Sequence, residues 1–161
     1  MPIKVTAWFL AALLWSSGLV SANPLLDRAA DWRDALPAIE LPENAPLTPE
    51  GLSFVDRSGA RVALSASRGR FRLVNLWAVW CAPCREEMPA LDRLADRLSD
   101  RDFMVLTVAS GPHSIDSITS FYERVGVENL PIYRDPKSQL AAQLGAIALP
   151  STFLIDPDGH V

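Results

Sequence analysis

The chain has 161 residues, of which 49% are hydrophobic and 21% charged, enough for one domain with a proper core. Its 15 Lys and Arg against 19 Asp and Glu give a formal charge of −4 with no basic cluster, which argues against nucleic acid as a partner. With only two cysteines, it is not a small scaffold stapled by several disulfides.

Met1 to Ala22 differs from everything after it. Lys4 is its only charge, Val5 to Trp15 is apolar, and Ser16 to Ala22 is small and ends Val20-Ser21-Ala22, the layout of a secretory signal peptide. Cleavage is expected after Ala22; the alternative is that residues 3–20 stay as an uncleaved anchor. Either way the domain is exported, and contact with a membrane is expected only if the segment is retained. Asn23-Pro24 then looks like an N-cap with proline at the first helical position, and Leu25, Ala29, Trp32 and Leu36 mark a short amphipathic helix. Pro37, Pro42, Pro46 and Pro49 break up an extended connector. The expected division is therefore 1–22 signal segment, 23–47 helix and linker, 48–161 folded domain.

Leu52 to Val55 and Arg61 to Leu64, around the turn Asp56-Arg57-Ser58-Gly59, predict a hairpin. Phe71 to Leu76 reads as a buried strand and Arg85 to Leu98 as a helix, with Met88, Leu91, Leu94 and Leu98 on one face and Asp92, Arg93, Asp96 and Arg97 on the other. Pro89 should kink that helix. Phe103 to Ala109 predicts a strand, Ser114 to Val125 a helix capped by Gly126, Ile132 to Arg134 a short strand, Lys137 to Leu144 a helix ended by Gly145, and Thr152 to Ile155 a final strand. The alternation gives an α/β fold with a partly parallel central sheet covered on both faces. The chain then stops at Asp156-Pro157-Asp158-Gly159-His160-Val161, a hairpin turn with almost no returning strand, so a C-terminal strand and helix are expected to be truncated.

Both cysteines lie in Trp77-Ala78-Val79-Trp80-Cys81-Ala82-Pro83-Cys84, at the turn from strand to helix. A thiol at a helix N-terminus meets unpaired N–H groups and the positive end of the macrodipole, so Cys81 should ionise more readily than a free thiol and act as a nucleophile. Cys84, one turn on, is close enough to close a disulfide and expel whatever Cys81 has captured. Zinc wants four ligands, and the chain adds only His113 and His160. A purely structural bridge closing so short a loop would remove little chain entropy. In an exported domain with a single pair at this spacing, reactivity is the better explanation.

Trp80-Cys81-Ala82-Pro83-Cys84-Arg85 followed by Glu87 and Pro89, with Leu149-Pro150-Ser151-Thr152-Phe153-Leu154-Ile155-Asp156 about 65 residues later, resembles the thioredoxin superfamily, specifically the TlpA/ResA-like exported thiol-disulfide oxidoreductases. The match covers Leu52 to Val161. It implies a thioredoxin-like fold with an N-terminal β-hairpin extension, Cys81 and Cys84 as the catalytic redox pair, and a substrate groove of Trp80, Pro83, Leu149 and Pro150. Pro150 should be cis beside the dithiol, although its sequence position also suits an ordinary strand-entry proline. Six residues before Cys81, where cytosolic thioredoxins carry a buried aspartate, stands Asn75, which cannot accept a proton. In ResA-like proteins a glutamate matching Glu87 takes that role. Glu87 lies on the Cys84 face of the helix and would accept the Cys84 proton; otherwise it is a solvated acid favoured by the dipole, as Glu86 is taken to be. Trp77 and Trp80 are expected to pack, Trp80 shielding Cys81 from water. Gln139, Tyr133 and His113 show only ordinary surface or core use.

The resemblance further implies a periplasmic location and no cofactor or resident metal. Its substrates would be disulfides of other exported proteins, such as cysteine pairs of apocytochrome c or of an oxidase copper site. Electrons would come from a membrane dithiol donor. The competing reading is a copper-carrying thioredoxin-fold protein, in which both thiolates and one histidine bind the metal. His113 is the candidate within the domain, since His160 sits on a terminal turn.

Overall fold

The computed structural model describes residues 46–99 and 101–161. The signal segment and the expectations for residues 23–45 lie outside the described residues.

The apolar alternation along two strands sets the architecture. β3 (Phe71–Trp77) and β4 (Phe103–Ser110) pair in parallel, in register from Phe71–Phe103 to Trp77–Ala109. Val74, Leu76, Leu106 and Val108 point to one face, while Leu73, Trp77, Val105 and Ala109 point to the other. Both faces are covered, which is why these strands read as near-continuous apolar runs. β1 (Ser53–Val55) and β2 (Arg61–Ala63) make the expected antiparallel hairpin. β5 (Tyr133–Asp135) lies parallel to β4 and bridges to β1, and β6 (Ser151–Ile155) runs antiparallel to β3. The sheet order is β2-β1-β5-β4-β3-β6, a mixed sheet with β6 at one edge among the described residues.

One face is covered by α1 (Ala82–Arg97) and α2 (Ile115–Val125), whose Cys84, Met88, Ile118, Phe121 and Tyr122 close over Trp77. Trp77 is fully buried, stacked on Tyr122 at 5.6 Å between ring centroids and tilted against Phe121 at 4.7 Å. Burial pushes the Tyr122 phenol up to about 12, against the smaller opposing effect of its 3.1 Å bond to Thr107 Oγ1. The opposite face is covered by the 3₁₀ turn Leu64–Ser67 and by α3 (Gln139–Gln143), which bury Leu64, Leu140 and Ala141 against Leu52, Phe54, Val74 and Leu76.

Local signals explain most element ends. Ser114 caps α2, its hydroxyl accepting from Ser117 N at 3.1 Å, and Gly126 ends it in the left-handed region at φ 74°. α1 runs unbroken through Pro89. β5 sits one residue later than expected, and α3 is shorter than 137–144. Ser138 adopts a left-handed φ of 54°, so the helix cannot include Lys137; Asp135 instead caps it, accepting from Gln139 N at 2.9 Å and Ala141 N at 3.0 Å. After the terminal turn, His160 forms an isolated antiparallel bridge to Leu47.

The assignment of Asp92 to a solvated face is corrected. Asp92 is buried and accepts from the backbone N–H of Glu128, Asn129 and Leu130 at 3.2, 2.7 and 3.0 Å and from Asn129 Nδ2 at 2.9 Å. Burial alone would raise its pKa. The bonds from Asn129, Glu128 and Leu130 outweigh that and hold the carboxyl below the usual aspartate range. Helical periodicity could not reveal partners 36 to 38 residues away.

Candidate active site

β3 ends at Trp77, buried between the sheet and α2, and four residues later Cys81 becomes the N-cap of α1 in an extended conformation. Pro83 lies in the first turn, where its missing N–H costs nothing. Cys81 Sγ accepts from Cys84 N at 3.3 Å, so the sulfur occupies the place a capping oxygen would take. An N–H aimed at this sulfur, with the helix behind it, favours negative charge there once the bond is opened.

The structure joins Cys81 and Cys84 in a disulfide, with a Cα–Cα distance of 5.3 Å. Cys84 is fully buried and Cys81 is 4% exposed, so Cys81 is the sulfur within reach of a partner. Beside them Pro83 is exposed and Trp80 is 71% exposed. The packing expected of Trp80 is therefore corrected. The indole falls in the loop between strand and helix, where no element among the described residues buries it, whereas Trp77, the last residue of β3, is enclosed as expected. The Leu149–Pro150 peptide is cis. Leu149 packs against the cluster holding both cysteines, and Ser151, the next residue after Pro150, pairs with Leu76 at the end of β3. The proline loop thus stands at the end of the sheet from which the cysteine loop departs.

Glu87 is half-buried, one turn beyond Cys84, and Glu86 is exposed. Its Oε1 accepts from Nδ2 of the fully buried Asn75 at 2.8 Å, and the same Nδ2 donates to Thr152 Oγ1 at 3.0 Å. Sequence reasoning noted Asn75 only as a departure from aspartate. The signal for more was a lone amide in the apolar run Phe71-Arg72-Leu73-Val74-Asn75-Leu76-Trp77. Ile147, two residues before Leu149, is fully exposed. His113 is half-buried with its Nε2 3.0 Å from Ser110 O. Among the described residues, no three His, Cys, Asp or Glu side chains are grouped to hold a metal ion.

A mixed sheet with helices on both faces, a Cys-x-x-Cys disulfide capping the first of those helices and a cis proline at the same end together define a protein of the thioredoxin-like class. Residues 33–161 match the AhpC/TSA family. The chain belongs to that family. It is 35% identical over 108 residues to the thiol-disulfide oxidoreductase ResA of Geobacillus kaustophilus (strain HTA426), covering 67% of this chain and 61% of that protein. Against ResA of Bacillus subtilis (strain 168) the identity is 31% over 106 residues, covering 66% and 58%. The chain thus spans about three-fifths of the length of these curated relatives. A crystal structure described as a thiol:disulfide interchange protein DsbE from Chlorobium tepidum superposes with a TM-score of 0.64 at 27% identity, covering 74% of this chain and 82% of that one. The α/β thioredoxin-like fold expected from sequence is the fold observed.

Proposed function

We propose that the protein is an exported thiol-disulfide oxidoreductase that reduces disulfides in other exported proteins through Cys81 and Cys84. The observation that carries this reading is the Cys81–Cys84 disulfide at the N-terminus of α1, its outer sulfur slightly exposed beside the bare Trp80 and its inner sulfur sealed. With the pair reduced, the Cys81 thiolate attacks a substrate disulfide. One Cys81–substrate bond forms and one substrate thiolate leaves. Cys84 then gives its proton to Glu87 and attacks the Cys81 sulfur, which closes the intramolecular disulfide and releases the second substrate thiolate. Two electrons have passed to the substrate, and an external dithiol must return them. In this reading the donor is a membrane dithiol carrier, the location is the periplasm, and the substrates are cysteine pairs awaiting haem or copper. Trp80, Pro83, Leu149 and Pro150 form the surface that receives them.

The direction of electron flow follows from what lies between the cysteines. Ala82-Pro83 brings no charge to stabilise the thiolate further, which leaves the capping N–H groups and the helix dipole. The pair should then have a potential nearer the roughly −270 mV of thioredoxin than the roughly −120 mV of a dedicated oxidant. Cys84→Ala should accumulate covalent complexes with protein disulfides, and Cys81→Ala should not. If both variants trap equally, or the potential lies at the oxidant end, the reading fails.

A further inference from the structure

The Asn75 side chain is fully buried, makes two hydrogen bonds through one nitrogen, and leaves Oδ1 with no partner among the described residues. A buried amide oxygen without a partner costs free energy and calls for an explanation. Its two neighbours supply one. A carboxylate accepts and a carboxylic acid donates, while a threonine hydroxyl can do either. With Glu87 ionised, Nδ2 donates to both Glu87 and Thr152. Once Glu87 carries a proton, a half-turn of the amide presents Oδ1 as acceptor to the acid and the hydroxyl together. Leucine could serve neither state, and an ionised aspartate only the protonated one.

We infer that Asn75 is a positioning residue for the thiol-disulfide reaction, holding Glu87 of α1 against Thr152 of β6 and matching the carboxyl group in both protonation states. The inference rests on the proposed role of Glu87 as acceptor of the Cys84 proton. The amide also ties that acid to the strand that carries Pro150, because Thr152 lies two residues beyond the proline and pairs with Asn75. Few other groups face this site. α1 brings Cys81 and Cys84, with the exposed Arg85 and Glu86 flanking; β4 brings Thr107, paired with Asn75 in register and hydrogen-bonded to Tyr122 of α2; β6 brings no titratable group opposite the amide.

The test uses the reduced full chain and an aromatic disulfide whose thiolate is coloured. Its first equivalent reports capture by Cys81 and its second reports resolution by Cys84. Asn75→Leu should slow the second phase at neutral pH by roughly tenfold, the size expected for losing one hydrogen bond to a charged group, while the first phase stays within about twofold. In a Glu87→Gln background the same change should add nothing. Thr152→Val, at an exposed position, should slow the second phase more mildly; it carries the test if Asn75→Leu does not fold. Equal slowing of both phases, or the full effect persisting in Glu87→Gln, would reduce Asn75 to packing and overturn the inference. An unchanged pH profile of the second phase in Glu87→Gln alone would instead remove Glu87 from the mechanism. A slowed Glu87→Gln beside an unaffected Asn75→Leu and Thr152→Val would sink only the role of the amide.

Discussion

Asp92 brings a single carboxylate to three consecutive backbone N–H groups, of which that of the buried Leu130 would otherwise be left in the interior without a partner. Truncating it to alanine strands the buried Leu130 donor and removes three part-buried bonds beside it, so Asp92→Ala should lose on the order of 2 kcal/mol in urea unfolding at neutral pH. The sign with pH follows from the lowered pKa. The unfolded chain takes up its proton first, so the contribution is complete above the ordinary aspartate range and is withdrawn as the pH falls through and below it. The gap between wild type and variant should therefore narrow on acidification. A gap constant down to about pH 2, well below the usual aspartate value, would mean that the carboxylate form is not what stabilises the loop. At the same scale Trp80 shows that hydrophobicity alone does not predict burial. Its side chain is as apolar as that of Trp77 three residues earlier, yet only Trp77 belongs to a strand with a helix laid across it.

Among the elements, α2 is specified almost wholly by its own ends. The φ of 74° at Gly126 is what an alanine there would have to adopt, and a Cβ would meet nothing within 4 Å. Gly126→Ala should thus cost only the backbone conformation, roughly 1 kcal/mol in a thermal or urea midpoint; a loss of about 3 would point to packing that the structure does not contain. Such local specification decides what could be read in advance. The sequence states β3, β4 and α2 plainly, because long apolar runs and a Ser114 to Gly126 frame act within a few residues. The limits of β5 and α3 could not be read that way, since they depend on Asp135 turning back to cap the next helix and on Ser138 taking a left-handed backbone. The two cysteines and their place at a strand-to-helix turn were equally legible. The partner of Glu87 was not: Asn75 lies 12 residues before it, Thr152, which shares the same amide, lies 77 residues beyond Asn75, and only the fold brings the three together.

Taken whole, the described domain is a mixed sheet with a separate apolar core on each face, and the disulfide belongs to only one of them. That core also contains Trp77, while Trp80 adjoins Cys81 in the chain and stands in solvent. An excited indole loses its energy readily by passing an electron to a nearby disulfide, and a dithiol accepts that electron far less well. The protein should therefore report its own redox state in light: tryptophan emission should rise when the pair is reduced and fall when it is reoxidised. The two indoles ought to separate by colour, Trp77 contributing at shorter wavelength from its apolar cage and Trp80 at longer wavelength from water. Replacing Trp80 by phenylalanine removes the second signal and leaves that of Trp77 as the one from the described residues. An emission from that variant indifferent to reductant would show that the buried indole and the sulfur pair are not in electronic contact. Should the change persist, electron exchange between this protein and an unlabelled partner could be followed in real time with no dye attached to either.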